Sequence, residues 1–276
     1  MRVMVTGANG QLGHDVALEC RRRGWETIGV DVDDFDLTDR AATLAFLEQA
    51  KPSVIIHCAA YTAVDKAEAE PELARAVNEL GTGYVAEYCA RRGSWMIYVS
   101  TDYVFDGNGE QPYEVDEQPK PINVYGATKL AGERAVQALC GKHMIVRTSW
   151  VFGSHGSNFV KTMLRLGAER DELKVVNDQV GAPTYTVDLA RLLCDMAARP
   201  VKGVYHASNS GECSWAGFAK KIFDLAGLSC KVIEIPSSEY PQKAQRPKNS
   251  RLSAKALMEA NYVPLPPWET ALAAML

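Results

Sequence analysis

The 276-residue sequence lacks three features that would place it in a specialised class of protein. It has no CxxC pair among seven scattered cysteines, so we predict neither a disulfide framework nor a zinc site. It has no apolar run of about 18 residues, which disfavours a membrane-spanning helix, and no secretory leader follows Met1. Its net charge of only −4 gives no reason to expect a nucleic-acid partner. These absences predict a soluble, unprocessed, cytoplasmic protein with neither a membrane nor a nucleic-acid partner.

Short apolar runs alternate with longer amphipathic segments through the first half of the chain. Runs such as RVMVTG, SVIIHCAA and WMIYVST indicate buried strands, and the segments between them show helical periodicity. Near-continuous apolar strands separated by helices predict an α/β fold with a doubly wound parallel sheet. Beyond residue 150 the elements become shorter, with helices expected near 157–169, 186–198 and 214–226. We therefore predict a sheet domain at 1–150 and a smaller lobe at 151–276, some segments of which return to the sheet.

A glycine-rich turn, VTGANGQLG at residues 5–13, follows the first strand and opens the first helix. Gly7, Gly10 and Gly13 permit a tight turn and close approach of the backbone to a phosphate, and a helix N-terminus favours an anion. Asp31, after the second apolar run, is placed to accept hydrogen bonds from an adenosine ribose. Together they predict a Rossmann-type dinucleotide site. Taken singly, each has a simpler interpretation. The glycine-rich turn could be a tight turn with no ligand, and Asp31 could be a solvated acidic residue in a loop.

The stretch VYGATK at residues 124–129 places Tyr125 and Lys129 four positions apart, on one face of a predicted helix. A phenol is a poor acid near neutral pH, but an adjacent ammonium group stabilises the phenolate and lowers the pKa of the phenol. The spacing alone also arises by chance. On its own the pair therefore makes Tyr125 a candidate proton donor assisted by Lys129, and the rest of the chain has to decide.

The GxxGxxG form of the turn resembles the extended short-chain dehydrogenase/reductase family. The stretches DLTD at 36–39 and HCAAYT at 57–62, together with Asn78, fall in that family's order. The resemblance implies hydride transfer between a nicotinamide cofactor and a carbonyl group, with Thr101, Tyr125 and Lys129 as the catalytic residues. His57, by contrast, is expected to be a buried strand residue. The implied cofactor-binding residues are Gly7, Asn9, Gly10, Gln11, Leu12, Asp31, Asp36, Leu37, Cys58, Ala59, Ala60, Tyr61, Thr62, Val99, Tyr125 and Lys129.

The residues after Thr101 narrow the reaction. Family members that dehydrate nucleotide-activated glucose carry Asp-Glu where this chain has Asp102 and Tyr103, and a tyrosine does not replace that carboxylate base. The motifs STDYVFDG, NVYGATKLAGE, RTSWVFG, NDQVGAPTY and RPKNSRL resemble the dTDP-4-dehydrorhamnose reductase family. This resemblance implies reduction of the 4-keto group of dTDP-4-dehydro-β-L-rhamnose, the last step of dTDP-L-rhamnose synthesis. The implied substrate-binding residues are Val64, Thr101, Asp102, Tyr103, Trp150 and Arg246.

Three of these substrate residues have other interpretations. Tyr103 and Trp150 are also expected as ordinary packing aromatics. Arg246 is either a bidentate ligand of the substrate diphosphate or a solvated surface cation. It lies in a segment rich in Pro, Ser and charge at 234–252, which is expected to be an ordered loop over a cleft or a flexible connection.

The choice of cofactor and the presence of a metal are separate questions. Asp31 repels a 2′-phosphate, and Asp33 and Asp34 follow without a basic residue, so NADH is preferred although NADPH stays open. Some relatives bind Mg²⁺ through glutamates near the first helix and the C-terminus. Here the first position is Asp15 and the chain ends soon after Glu269, so we predict no metal.

Two further functions stay open from sequence. The chain could reduce another nucleotide-linked 4-keto sugar, or serve as a regulatory subunit that binds nucleotide without turnover. Intact Thr101, Tyr125 and Lys129 argue against the regulatory subunit, because binding alone needs no proton donor. The expected partner is a nucleotide sugar, and a homodimer is compatible with the sequence although no interface is defined.

Overall fold

The computed structural model describes all residues, 1–276, and strands alternate with helices through the first half of the chain. The strands are β1 (Arg2–Thr6), β2 (Glu26–Val30), β3 (Val54–His57), β4 (Trp95–Thr101), β5 (His143–Thr148), β6 (Val151–Phe152), β7 (Glu172–Val176), β8 (Val180–Gly181), β9 (Thr184–Tyr185), β10 (Gly203–His206), β11 (Asn209–Ser210), β12 (Cys213–Ser214), β13 (Lys231–Ile235), β14 (Asn249–Ser250) and β15 (Leu265–Pro267).

A π-helical stretch at Ala76–Gly81 joins two of the helices, and none of the helices is long and apolar enough to cross a membrane. The α-helices are α1 (Gln11–Arg22), α2 (Arg40–Ala50), α3 (Val64–Ala67), α4 (Pro71–Arg75), α5 (Thr82–Arg92), α6 (Val124–Leu139), α7 (Phe159–Glu169), α8 (Thr186–Ala198), α9 (Trp215–Ala226), α10 (Lys255–Glu259) and α11 (Trp268–Met275).

Six strands form one sheet in the order β2-β1-β3-β4-β5-β10, and every neighbouring pair is parallel. Thr6 lies opposite His57, and Thr101 lies opposite Thr148, so the C-terminal ends of these strands meet at one edge. The strand order reverses between β1 and β3, which opens a crevice at that edge. The predicted doubly wound parallel sheet is confirmed.

Helices cover both faces of this sheet because its strands are apolar on both sides. Val3 and Val5 of β1 enter the core beneath α1 and α8, whereas Met4 between them enters the core beneath α2, α5 and α6. Strand residues alternate between faces, so each strand contributes to two cores. The near-continuous apolar runs of the sequence follow from this double burial.

Two elements from the second half of the chain belong to the sheet layers. The helix α8 has the bounds expected from sequence and packs against α1, and β10 extends the sheet beyond β5. Helix α10 and strand β15 also reach the core beneath α1 and α8 through Leu257 and Leu265, whereas α7, α9 and α11 pack with the strand pair β7 and β13 around a second core. The lobe is therefore not a simple C-terminal addition to the sheet.

The segment at 236–252 is an ordered loop tied to the sheet domain. The backbone N–H of Ala244 donates to Asp65 Oδ1 at 3.0 Å, and the Asn249 side-chain amide donates to the carbonyls of Gly109 and Gln111 at 2.8 Å each. This polar segment therefore forms hydrogen bonds with residues that are distant in the sequence.

Candidate active site

A cavity of about 1090 Å³ lies over the C-terminal ends of β1 to β5. Its position matches the crevice where strand order reverses, which is where ligands bind in open α/β sheets. Most of the residues singled out from sequence line it. They are Gly7, Asn9, Gly10, Gln11, Leu12, Gly13, Asp31, Asp36, Leu37, Cys58, Ala59, Ala60, Thr62, Val64, Val99, Thr101, Asp102, Tyr103, Tyr125, Lys129 and Trp150.

The glycine-rich turn forms one end of this cavity. Gly7 has φ +68°, and a Cβ atom there would lie 2.8 Å from the backbone nitrogen of Ala59. A Cβ atom on Gly13 would lie 2.0 Å from the Gly7 carbonyl oxygen. Helix α1 begins at Gln11 with no side-chain cap at Gly10, and its first residues, Gln11 to Gly13, line the cavity. This is a cradle for an anionic group such as a pyrophosphate.

Asp31 closes the turn from the end of β2. Its Oδ2 atom accepts a hydrogen bond of 2.8 Å from the backbone N–H of Asn9, and its Oδ1 atom accepts one of 2.9 Å from Val32. The carboxylate therefore orients the glycine-rich turn as well as lying at the cavity. From the sequence, Asp31 was predicted only to bind the adenosine ribose.

The loop after β3 is held by buried polar side chains. His57 is fully buried between Thr6 and Thr82, with ring nitrogens 2.8 Å and 3.2 Å from their hydroxyl oxygens, and burial lowers the pKa of His57 to about 3. It is a neutral strand residue, as predicted. The side chain of buried Asn78 contacts the backbone N–H and carbonyl of Tyr61 and the Thr128 hydroxyl. This contact fixes residues 58–62 against α6.

Two predicted site residues lie outside the lining of the cavity. The Tyr61 hydroxyl donates a short hydrogen bond to Glu70. Arg246 donates from Nη2 to Asp65 Oδ2 at 3.0 Å, while its Nη1 atom is buried without a hydrogen-bond partner. Arg246 is thus anchored at one nitrogen rather than freely solvated.

The end of β4 carries two of the predicted catalytic and substrate residues. Thr101 is buried, and its hydroxyl donates to Asp102 Oδ1 at 3.0 Å and accepts from the backbone N–H of Tyr103 at 3.2 Å. Burial raises the pKa of Asp102 to about 6, and its Oδ2 atom has no hydrogen-bond partner. This side chain keeps acceptor capacity for a ligand hydroxyl.

Tyr125 and Lys129 lie in the first two turns of α6, whose start is fixed by Asn123. The Asn123 side chain accepts a hydrogen bond of 2.8 Å from the backbone N–H of Gly126. Lys129 is buried, its Nζ atom donates to the Val99 carbonyl at 2.8 Å and lies 4.1 Å from the centroid of the Tyr98 ring. Burial lowers the pKa of Lys129 to about 7. The predicted pair therefore lies together in the cavity.

The expected direction of the Tyr125 pKa is wrong for this structure. Burial raises the pKa of Tyr125 above its ordinary value, a hydrogen-bonding interaction with Thr101 acts in the opposite direction, and the charge of Asp102 raises the pKa further. Burial is the largest cause because a buried phenolate loses its hydration, and the lowering expected from Lys129 is not among the causes. A raised pKa keeps the phenol protonated.

Aromatic side chains form one wall of the cavity. The Tyr103 ring lies edge-on to Tyr125 with centroids 5.4 Å apart. Trp150 stacks on Trp215 with centroids 3.7 Å apart and an angle of 12° between the rings. Trp215, at the start of α9, had no signal in the sequence that marked it as a cavity residue.

Other lining residues were also missed from sequence. Ser100, Thr148 and Ser149 line the cavity at the ends of β4 and β5. The rule that ligands gather at strand ends would have found Thr148 and Ser149. Ser100 also donates from its hydroxyl to Glu133 Oε1 at 2.5 Å, which links the cavity to a buried ion pair.

That ion pair lies behind the cavity, within the sheet layers. Arg147 donates two hydrogen bonds to Glu133, at 2.9 Å and 2.7 Å, and both side chains are almost fully buried. His206 lies 3.3 Å from Arg147 and contacts the Tyr113 carbonyl at 2.9 Å. Glu133 is one helical turn after Lys129 on α6, and its charge raises the pKa of Lys129 against the effect of burial.

Comparison with known proteins identifies the family to which the chain belongs. The whole chain, residues 1–276, matches the model described as the RmlD substrate binding domain. The curated dTDP-4-dehydrorhamnose reductase of Sinorhizobium fredii is 44% identical over 281 residues, covering 98% of this chain and 94% of that protein. The spore coat polysaccharide biosynthesis protein SpsK of Bacillus subtilis is 40% identical over 263 residues, covering 95% of this chain and 93% of that protein.

Solved structures agree with this match. The crystal structure of the dTDP-4-dehydrorhamnose reductase of Bacillus anthracis in complex with NADP has a TM-score of 0.97 and 42% identity to this chain. The alignment covers 99% of this chain and 98% of that one. A full-length match to the family model and full-length relatives well above 30% identity lead to one conclusion: this chain belongs to the RmlD substrate binding domain family.

Proposed function

We propose that the chain reduces the 4-keto group of dTDP-4-dehydro-β-L-rhamnose to give dTDP-L-rhamnose, with a reduced nicotinamide dinucleotide as hydride donor. One observation carries the proposal. A single cavity is lined both by the glycine-rich turn and by Thr101, Tyr125 and Lys129. The cavity therefore combines an anion cradle with a proton donor, as a carbonyl reductase requires. Family relatives named for this activity support the same assignment.

The residues present fit a dinucleotide. The backbone at Gly7 and Gly13 leaves no room for a Cβ atom, and the first turn of α1, which has no side-chain cap, lines the cavity where a pyrophosphate would be held. Asp31 lies where it would bind the adenosine ribose, and Lys129 would hold the nicotinamide ribose. When bound, the cofactor supplies the hydride that reduces the carbonyl carbon.

Tyr125 delivers the proton that balances this reduction. Its raised pKa keeps the phenol protonated at neutral pH, so it can protonate the carbonyl oxygen as negative charge develops there. The Thr101 hydroxyl, whose single proton is donated to Asp102 Oδ1 in the free protein, would turn that proton to the same carbonyl oxygen and lower the energy of that charge. Asp102 Oδ2 has no hydrogen-bond partner in the protein and would accept a hydrogen bond from a hydroxyl group of the sugar.

Arg246 serves the diphosphate of the substrate in this proposal. One guanidinium nitrogen is held by Asp65, and the buried Nη1 atom has a donor left unpaired. A guanidinium group binds phosphate oxygens through such donors, and a shift of Arg246 into the cavity, which it does not line in the free protein, would bring the diphosphate to this donor.

We further propose that NADH is preferred over NADPH while both are accepted. The carboxylate of Asp31, with Asp33 and Asp34 after it, places negative charge where a 2′-phosphate would lie. The Bacillus anthracis relative was crystallised with NADP, so the family does not exclude the phosphate. The preference is therefore expected to be modest.

The decisive experiment supplies purified protein with dTDP-4-dehydrorhamnose generated in situ and follows the loss of reduced-nicotinamide absorbance with NADH and with NADPH. The product is identified by mass and by its NMR spectrum. Oxidation that requires the sugar and is lost in Tyr125→Phe supports the proposal. Cofactor binding without turnover of this sugar would overturn it.

A second candidate substrate is another nucleotide-linked 4-keto sugar. The Bacillus subtilis relative is named for spore coat polysaccharide rather than for rhamnose, and its identity to this chain is close to that of the named reductases. Parallel assays with the UDP, GDP and CDP analogues separate the two candidates. Capture of a partner enzyme by a protein inactive on every sugar would indicate a regulatory subunit, and sedimentation measurements test the homodimer.

A further inference from the structure

Trp150 has an unusual backbone conformation at the cavity wall. Its φ is +48°, in the left-handed region that bulky residues rarely adopt. The strain persists because both neighbouring residues and its own carbonyl are pinned. Ser149 donates from its hydroxyl to the Ala182 carbonyl at 2.8 Å, and the Thr184 N–H donates to the Trp150 carbonyl at 3.1 Å. Val151 then pairs with Thr184 as β6 joins β9. Such over-determined strain is typical of functional positions.

The Trp150 side chain is confined as firmly as its backbone. Its indole stacks on Trp215 with ring centroids 3.7 Å apart. It also packs against Gly181, where a Cβ atom would lie 2.7 Å from Cε2 and 3.0 Å from Nε1 of the indole. Any side chain at position 181 would therefore displace the Trp150 ring.

Strand pairing brings the two confining residues together. Gly181 of β8 pairs with Cys213 of β12, so Trp215 follows two residues after the paired position. Ser214 caps α9 by accepting from the Gly217 N–H at 3.0 Å, which fixes Trp215 as the first helical residue. Phe159 of α7 packs against Trp215 with centroids 4.7 Å apart. The support for Trp150 is thus built from regular secondary structure.

This wall stands beside the reacting groups. Trp150 is two residues beyond Thr148, and Thr148 lies opposite Thr101 in the sheet. Trp150 and Trp215 both line the cavity that holds Tyr125 and Lys129. Trp215 covers one face of the indole and Gly181 lies against the other, so Trp150 presents its rigid edge to a sugar ring in the cavity.

We propose that Trp215 and Gly181 are positioning residues that hold the Trp150 indole as the sugar-facing wall of the cavity and so set the affinity for the sugar. The inference rests on the proposed function, since it requires a sugar nucleotide in the cavity. It adds to that function two residues that would act through Trp150, of which Gly181 does not line the cavity itself.

The test compares Trp215→Leu, Trp215→Phe and Gly181→Ala with the wild type. Stacked aromatic pairs contribute enough that their loss is expected to raise the KM for the sugar nucleotide roughly 3- to 10-fold. Trp215→Phe keeps an aromatic ring and should restore most of that affinity. The Kd for the cofactor, measured without the sugar, should stay at the wild-type value in all three variants.

A matched control and a spectroscopic signal separate positioning from general damage. Trp268→Phe alters the same lobe core, where Trp268 packs on Phe218 with centroids 5.5 Å apart, but Trp268 does not line the cavity. It should leave the KM for the sugar unchanged. The circular dichroism couplet of two stacked indoles should be lost in Trp215→Leu and kept in Trp268→Phe.

Two results would overturn the proposal. One is a wild-type KM in Trp215→Leu after the couplet has been lost, and the other is an equal rise of KM in Trp268→Phe. If the wild type binds a sugar nucleotide without reducing it, the proposed function fails, and calorimetry still decides the inference. Weaker sugar binding by Trp215→Leu than by the wild type supports the positioning role, and equal binding refutes it.

Discussion

The ammonium group of Lys129 donates a hydrogen bond of 2.8 Å to the backbone carbonyl of Val99. This bond joins α6 to β4 at the floor of the cavity and holds a cation beneath the position proposed for the nicotinamide ribose. Because the ammonium group is buried, its charge is easily lost, and the site gains a dependence on pH.

Cofactor affinity should fall as the pH rises through about 7. Burial lowers the pKa of Lys129 to about 7, and the protonated form is the charged one, so the cation is present below that pH and lost above it. We expect the Kd for NADH, measured by fluorescence titration, to rise across that pH. Lys129→Met should bind more weakly and without this dependence. The same pH dependence in wild type and variant would show that another group titrates.

Removal of the Tyr125 hydroxyl should abolish most turnover and little binding. We expect Tyr125→Phe to lower kcat roughly 10²-fold or more, because a positioned general acid contributes about that much, while the cofactor Kd stays near the wild-type value. Tyr205→Phe is the control, since its hydroxyl donates to the Val201 carbonyl outside the cavity. Steady-state kinetics and cofactor titration measure both. Near-normal kcat in Tyr125→Phe would remove it from the mechanism.

Neutralising Asp31 should move the cofactor preference toward NADPH. Asp31→Asn keeps an acceptor for the Asn9 N–H but removes the charge, and one unit charge near a phosphate corresponds to roughly 5-fold in affinity. Asp31→Ala should shift the preference in the same direction with weaker binding of both cofactors. The control Glu26→Gln removes an exposed charge that pairs with Arg2 on the sheet edge. An unchanged NADPH to NADH ratio of kcat/KM would place the ribose elsewhere.

Breaking the buried ion pair behind the cavity should strongly destabilise the fold. Glu133→Gln leaves the Arg147 guanidinium buried without its charged partner, which costs about 3–5 kcal/mol of unfolding free energy. The exposed pair Lys220 and Glu234 provides the comparison, and Glu234→Gln should cost about 1 kcal/mol or less. Urea unfolding measures both variants. Equal losses would mean that burial does not distinguish the two pairs.

The fold and much of the candidate site were predictable because their signals are local. Apolar runs predicted the buried strands of the sheet. The turn at Gly7 and the spacing of Tyr125 and Lys129 are each patterns within ten residues of sequence. Parallel sheets then bring strand ends to one edge, so Thr101 could be placed near them without further information.

The rest depended on which distant segments meet. Trp215 reaches Trp150 only because β8 pairs with β12, and Arg246 contacts Asp65 across most of the chain. Sequence periodicity indicates which face of a helix or strand is buried, but it does not indicate which distant segment packs against that face. The predicted lowering of the Tyr125 pKa was wrong for a related reason, since desolvation depends on the whole cavity rather than on one neighbouring residue.

The return of α8 and β10 to the sheet layers has a consequence for synthesis on the ribosome. When only residues 1–150 have emerged, β5 is an edge strand paired with β4 alone, and the α8-facing side of α1 is uncovered. Exposed edges and apolar faces favour aggregation of nascent chains. The cofactor-binding half therefore cannot complete its sheet until His206 has left the exit tunnel, and a fragment cut at residue 150 is expected to need a chaperone to stay in solution.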